Sequence, residues 1–207
     1  MTARIELLRT AGNADPAGPP VHENNVWLVG DDTQVVVIDP AHDAEAVAAA
    51  VAGRRVSAVL LTHGHWDHVR AAVDFCRSVG QEPRLHPADA FLWRAEHGGT
   101  PFVPLTDGET FEVAGTVLEA RHTPGHTPGS TSFVAADLGA VFSGDTLFQG
   151  GPGATRWEYS SFDGIIASIT DRLLTLPADT AVHTGHGPST SIGREAGDLA
   201  AWVARGW

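Results

Sequence analysis

The sequence predicts an α/β fold, and three observations point to it. Apolar strand-like runs alternate with helical patterns along the chain. Those runs are apolar nearly throughout, as strands covered on both faces are. Four of them end in short loops where histidine or aspartate sits beside glycine.

The first twenty residues, ending in Pro-Ala-Gly-Pro-Pro, read as an edge strand and a loop. Asn25–Val29 and Gln34–Ile38 are strand-like, and Gly30-Asp31-Asp32-Thr33 between them is a hairpin signal. Ile38-Asp39-Pro40 ends the second strand, and Asp43 is placed to cap an alanine-rich helix that stops near Gly53. Val56–Leu61 is a strand. Val69, Ala72, Val73, Cys76 and Val79 then recur at helical spacing, starting just after His68. Pro83–His86 reads as a short strand, Ala88–Glu96 as a helix and His97–Pro104 as a glycine- and proline-rich loop. Thr116–Arg121, Thr131–Ala135, Ala140–Ser143 and Thr180–His183 are further strands. Ser161 or Asp163 caps a helix over Ile165–Leu174, and Arg194–Val203 is the last helix.

Composition narrows the classes. A 207-residue chain with 43% apolar and 18% charged residues has enough apolar surface to build a core. The net charge is -12 and all 13 basic residues are arginine, with no basic stripe, which argues against a nucleic-acid partner. Cys76 is the single cysteine, so no intrachain disulfide forms. No signal-peptide pattern opens the chain, and the longest apolar run, Ala46–Ala52, is too short to span a bilayer. A cytoplasmic protein without membrane contact is expected.

The chemistry concentrates in three histidine motifs and one aspartate. Thr62-His63-Gly64-His65-Trp66-Asp67-His68 puts His63, His65, Asp67 and His68 within six residues at a strand end. Imidazole suits zinc, iron or nickel, and a carboxylate keeps the site on the harder side. A lone loop histidine is ordinary; four ligand-bearing residues at this spacing are not. In His122-Thr123-Pro124-Gly125-His126-Thr127-Pro128-Gly129-Ser130, two prolines and two glycines fix the loop, with His126 the candidate ligand and His122 a candidate to support it. Asp145, in Gly144-Asp145-Thr146-Leu147-Phe148, would be an ordinary loop residue alone, but a strand-end carboxylate beside glycine suits a bridge between two metals. His186, in Thr184-Gly185-His186-Gly187-Pro188, is the third glycine-held histidine. His22, His42, His86 and His97 lack ligand partners at useful spacing and read as surface or hydrogen-bonding residues. Seven ligand positions exceed what one tetrahedral ion uses, so two divalent ions are expected: zinc first, iron or manganese next.

These motifs together resemble the metallo-β-lactamase superfamily of metallohydrolases, in family order from about residue 24 to about residue 193. The resemblance implies a four-layer αβ/βα sandwich, two mixed sheets face to face with helices outside and ligand loops along one edge. It also implies that His63, His65 and His126 hold one metal and Asp67, His68 and His186 the other. Asp145 then bridges them with a water or hydroxide. His65 stands where flavodiiron oxygen reductases carry glutamate, and the true β-lactamases lack the bridging aspartate. Nucleic-acid-processing members carry extra domains or a basic arm, and neither is expected here.

Within the superfamily, His-Thr-Pro-Gly-His-Thr-Pro-Gly-Ser and Gly-Asp-Thr-Leu-Phe are most similar to glyoxalase II-like thioesterases. That likeness implies a small-molecule thioester substrate, hydrolysed by hydroxide at the metals with Asp67 and Asp145 as catalytic residues. Two departures turn away from glutathione as the thiol. The loop after the aspartate reads Gly150-Gly151-Pro152-Gly153-Ala154-Thr155-Arg156-Trp157 rather than continuing toward Gly-Arg-x-Asp. Residues 1–207 read as a single domain, without the helical C-terminal domain that helps hold glutathione in full-length enzymes. The loop and the arginine- and alanine-rich composition look like actinobacterial relatives that use mycothiol. Other readings are a persulfide dioxygenase with one iron on His63, His126 and Asp145, a lactonase, and a metal-stabilised binding module without turnover.

The loop Gly150–Phe162 follows the aspartate-bearing strand and is expected to recognise substrate through Arg156, Trp157 and Tyr159. The competing expectation is that its aromatics only dock the following helix, with Phe162 as a helix-entry staple. A thiolate leaving group needs little help from an acid; His122 and His183 are the candidates for one.

Overall fold

From Asn24 to Gly30 every residue of the strand His22–Gly30 is buried, so both faces of that strand are covered. Val26 and Leu28 turn one way, into a cluster with Val47, Val51, Phe75 and Cys76. Trp27 and Val29 turn the other way, into a cluster with Phe111, Leu118, Phe133 and Phe142. This period-two division of an all-apolar run builds a layered α/β structure. The computed structural model describes residues 2–15, 18–19 and 21–206. The expected loop over Pro-Ala-Gly-Pro-Pro therefore lies partly outside the described residues, at Pro16, Ala17 and Pro20.

The first sheet runs β1 (Arg4–Gly12), β2 (His22–Gly30), β3 (Gln34–Ile38), β4 (Arg55–Leu60), β5 (Pro83–Leu85) and β6 (Val103–Pro104), in that order across the sheet. The first three pair antiparallel, and β4, β5 and β6 add in parallel. The second sheet contains β7 (Thr110–Val113), β8 (Thr116–His122), β9 (Thr131–Ala135) and β10 (Ala140–Gly144). A small hairpin of β11 (Leu147–Phe148) and β12 (Gly151–Pro152) follows, before β13 (Ala181–Thr184) and β14 (Thr190–Ser191) complete that sheet in the order β14-β13-β10-β9-β8-β7. Helices α1 (Ala44–Val51) and α3 (Ala72–Val79) cover the first sheet, with α2 (Trp66–Val69) and α4 (Ala90–His97) at its edge. Helices α5 (Phe162–Ser168), α6 (Ile192–Ala196) and α7 (Leu199–Arg205) cover the second through Ile165, Ile192 and Trp202. The result is the expected sandwich of two mixed sheets between helical layers.

Several expected elements shift. The helix after the first motif begins at Trp66, not after His68, because extended His65 caps it and its carbonyl accepts from the amides of His68 (3.0 Å) and Val69 (3.1 Å). Asp67 and His68 therefore lie on a helical turn. The expected helix over Ile165–Leu174 starts at Phe162, where the Ser161 side chain accepts from the Gly164 amide, and widens into a π turn over Ile169–Leu173. The last helix is broken at Gly197 and Asp198 into two. β6 lies inside an expected loop, and β7 in a stretch with no strand expected. Asp43 does cap α1, accepting from the Ala46 amide. Among the described residues no helix is long and apolar enough to cross a membrane.

Trp27 ties the sheets together. Its ring lies between them against Phe142 and His183, and its indole N–H donates to the Thr184 carbonyl at 3.0 Å. Trp27→Phe should cost about 1 kcal/mol, a lost hydrogen bond with most of the packing kept. Trp27→Ala should cost about 3–5 kcal/mol through the cavity it leaves. Urea denaturation midpoints of the two variants test this; equal losses would mean that the indole hydrogen bond, not the ring, carries the contact.

Candidate metal centre

Four strand ends deliver the seven candidate ligands to one edge of the sandwich. His63 and His65 follow β4, His126 follows β8, Asp145 follows β10 and His186 follows β13. His65 Nδ1 lies 3.1 Å from His63 Nε2 and 3.0 Å from His126 Nε2. His68 Nε2 and His186 Nε2 are 3.2 Å apart, and Asp67 Oδ2 is 3.2 Å from His186 Nε2. Asp145 lies between the two groups, Oδ1 at 3.5 Å from His68 Nε2 and Oδ2 at 3.6 and 3.5 Å from His126 and His186 Nε2. The structure thus brings all seven together.

Hydrogen-bond direction decides what these nitrogens offer. The Thr62 hydroxyl donates to Asp39 Oδ2 at 2.6 Å, so at 3.1 Å it accepts from His63 Nδ1–H. His126 Nδ1 faces the Ala154 carbonyl at 2.8 Å, and His186 Nδ1 faces the Glu23 carbonyl at 2.7 Å. His68 Nδ1 lies 2.9 Å from Asp39 Oδ2. Each outer partner accepts only, so each of these rings keeps a proton on Nδ1 and aims Nε2 inward. Inward lone pairs at such short spacing repel unless a cation lies among them. Asp145 Oδ1 adds a second sign: it is buried without a hydrogen-bond partner, which an unmet carboxylate oxygen in a protein interior seldom is. Both observations fit divalent metals.

Electrostatics agree. Burial pushes the His63, His65 and His126 imidazoles down, His65 to about 3, so they stay neutral donors. His68 and His186 are raised, His186 to about 10, because the Asp145 and Asp67 carboxylates outweigh burial. Asp67 and Asp145 are held low by His68 and His186 despite burial. This end of the cleft demands positive charge, and protons supply it when a metal does not.

Two buried aspartates that the sequence reading did not single out hold the centre. Asp39 takes a left-handed backbone (φ 50°) and accepts from the Thr62 amide at 2.7 Å, besides Thr62 Oγ1 and His68. Asp89, fully buried, accepts from the Gly64 amide (2.8 Å), the Thr127 hydroxyl (2.7 Å) and the Gly129 amide (2.6 Å). It clamps the His63–His65 loop to the His126 loop, and burial pushes its carboxyl up. Gly185 also has a reason: a Cβ there would lie 2.2 Å from Asp145 Oδ1 and 2.6 Å from the His68 ring.

A cleft of about 790 Å³ opens over the ligands, lined by Trp66, Arg70, Leu92, Phe148, Arg156, Trp157 and Tyr159 among others. Trp157 packs on His65 at 4.6 Å and His126 at 5.2 Å between ring centroids. Arg156 lies over Trp157, and the Tyr159 hydroxyl is 2.9 Å from His65 Nε2. The following helix does not receive these two rings; of the loop's aromatics only Phe162 joins the helical core. The support expected from His122 takes another form: it stacks on His86 at 4.0 Å and bonds the Pro128 carbonyl at 2.9 Å, bracing the loop and not a ligand. His183, beside Trp27 and bonded to Ser189, is not part of the cleft lining. His42 bonds Asn24 and His97 the Val69 carbonyl, as expected of hydrogen-bonding histidines.

A fold and centre of this kind define a class, and the chain belongs to the Metallo-beta-lactamase superfamily, whose family model matches residues 19–186. It is 35% identical over 190 residues to "Hydroxyacylglutathione hydrolase GloC" of Haemophilus influenzae, covering 84% of this chain and 90% of that one. It is also 35% identical over 193 residues to "Probable metallo-hydrolase YqgX" of Bacillus subtilis, covering 86% and 90%. Among solved structures, TTHA1623 in a di-iron-bound form superposes with a TM-score of 0.74 at 34% identity, over 84% of this chain and 92% of that one.

The charge balance yields a pH test. Metal-free, His186 carries a proton at pH 8, since the Asp145 and Asp67 carboxylates raise it to about 10 against burial, and the same carboxylates raise His68. Groups raised on folding add stability that is whole below about 6.5 and fades as pH climbs through the folded value. Ligation needs their lone pairs, so metal uptake at pH 8 should release about one proton per chain or more, and affinity should fall as pH falls. Zinc calorimetry in buffers of different ionisation enthalpy reads this number. No proton release would mean that both rings are already neutral.

Proposed function

We propose that this chain is a two-metal hydrolase acting on thioesters of a small-molecule thiol, as in glyoxalase II-like enzymes. The observation that carries the reading is Asp145, reaching both ligand groups with one oxygen otherwise unmet. The similarity to a hydroxyacylglutathione hydrolase supports the thioester part. In this reading His63, His65 and His126 hold one ion, Asp67, His68 and His186 the other, and Asp145 both. Such a pair supplies Lewis acidity and lowers the pKa of bound water toward about 7, with zinc proposed first and iron or manganese next.

The chain's own residues do the rest. Asp67, which accepts from Asn24 Nδ2 at 3.2 Å and stays ionised, fixes its end of the centre. Trp157 roofs His65 and His126 and excludes water from them. Arg156, without an ion-pair partner among the described residues, is placed to take a carboxylate of the thiol half. Neither His122 nor His183 faces the cleft, and a thiolate whose parent thiol has a pKa of about 8.5 leaves without an acid. We further propose a single domain over residues 1–207 working in the cytoplasm.

Purified protein saturated with zinc should hold two equivalents and hydrolyse acyl thioesters of low-molecular-weight thiols. Asp145→Ala should lose more than about tenfold in activity, and more than His186→Ala, since it removes a ligand from both ions. One equivalent of metal with oxygen uptake on a thiol persulfide would replace this reading with the mononuclear dioxygenase.

Arg156→Ala should raise KM several-fold for a large, carboxylate-bearing thioester and leave a small acetyl thioester unaffected. An unchanged ratio of kcat/KM between the two substrates would remove Arg156 from recognition.

A further inference from the structure

The outer nitrogens of four ligand imidazoles are held by groups of the scaffold: a backbone carbonyl for His126 and His186, Asp39 for His68, and Thr62 for His63. His65 is different. Its outer nitrogen is Nε2, and its partner is a phenol on the loop that walls the cleft, Tyr159 Oη at 2.9 Å. His63 Nε2 and His126 Nε2, both lone pairs by the argument above, face His65 Nδ1. For His65 to join them as a third donor, Nδ1 must also be a lone pair, which places its proton on Nε2.

Tyr159 Oη must then accept from His65 Nε2–H. Its own proton is left over, and among the described residues no other group bonds this hydroxyl. The ring is held without polar help, against Phe91 at 5.1 Å and parallel to Trp157 at 6.0 Å, and it lines the cleft. One atom therefore has two duties, fixing a ligand's tautomer on one side and presenting a donor on the other. An ordinary packing tyrosine needs neither.

We propose that Tyr159 is a positioning residue that fixes His65 as an Nδ1 donor, and that its phenol proton is a hydrogen-bond donor which the cleft offers to a bound substrate beside the His65 side of the site. The second half rests on the thioesterase reading; the first does not. A consequence is coupling: a substrate that draws Tyr159 toward itself also alters how firmly His65 is oriented.

Tyr159 is the chain's single tyrosine, so 3-fluorotyrosine labelling gives one fluorine resonance that reports on this hydroxyl alone. The resonance should shift when zinc is added to the metal-free protein. Tyr159→Phe should weaken zinc binding, read by chelator competition, by about tenfold or more, the usual effect of removing a ligand's outer partner. Phe91→Leu loosens the same ring packing while keeping the phenol, and should retain wild-type affinity. With zinc in excess, Tyr159→Phe should raise KM for a thioester several-fold at nearly unchanged kcat. Wild-type zinc affinity in Tyr159→Phe, or an equal loss in Phe91→Leu, overturns the positioning role; an unchanged KM overturns the donor role. If the wild-type protein turns over no thioester, the function proposed above fails, while the zinc and fluorine results still decide the role of Tyr159 toward His65.

Discussion

Lone pairs aimed at one another are the constraint on which this structure depends. Five imidazoles and two carboxylates meet in a largely buried space, where dipoles of one sense and charges of one sign cost free energy to assemble. Left to relax, the rings would turn away from one another. They cannot, because the far side of each ring is already committed: to Asp39, to Thr62, to the carbonyls of Glu23 and Ala154, and to Tyr159. The site's chemistry is set as much by these outer bonds as by the ligands.

The sandwich makes those outer bonds possible. The ligand-bearing ends of the two sheets are stitched across the interface by backbone and side chain. The Asn25 amide donates to the Gly185 carbonyl at 2.8 Å, and Asn25 Nδ2 donates to Thr184 and Gly187 carbonyls at 3.0 and 2.9 Å. Farther along, the Thr131 amide donates to the Thr62 carbonyl at 2.8 Å. The His186 loop is thus fixed to the first sheet, and the His63 loop to the second. Ligands on strand ends, with their backbones tied across the sheets, need little further ordering when ions arrive.

What was legible follows from this division. Ligand residues are few in kind and must crowd together, so His63 to His68, His126, Asp145 and His186 leave a pattern in the sequence. The layered core was legible for a similar reason, since strands such as β2 and β3 are apolar on both faces. Asp39 and Asp89 leave no pattern. Each works by accepting bonds from segments more than twenty residues away, and an aspartate before Pro40 or inside Pro87-Ala88-Asp89 looks like ordinary turn chemistry. The helical start at Trp66 was hidden because its cap is the backbone of His65, not a capping side chain. β6 and β7 escaped because two or four residues carry too little periodicity to stand out.

The cleft is asymmetric in a way the net charge conceals. Two arginines flank it, each lying over a tryptophan: Arg70 on Trp66 at 4.5 Å and Arg156 on Trp157 at 4.9 Å. Arg70 is already neutralised by Glu96 at 2.7 Å and also donates to the Asn13 carbonyl. Among the described residues no carboxylate pairs with Arg156, so the two sides present similar shapes and different fields. In a chain of net charge -12, one uncompensated guanidinium near a metal centre is where an anionic group is drawn, because the surrounding surface repels it. On the function proposed above, a substrate with an acidic tail would be oriented with that tail toward the Gly150–Phe162 loop and its reacting carbon toward the seven ligand side chains. The loop that packs on His65 and His126 would then also set which end of such a substrate enters first.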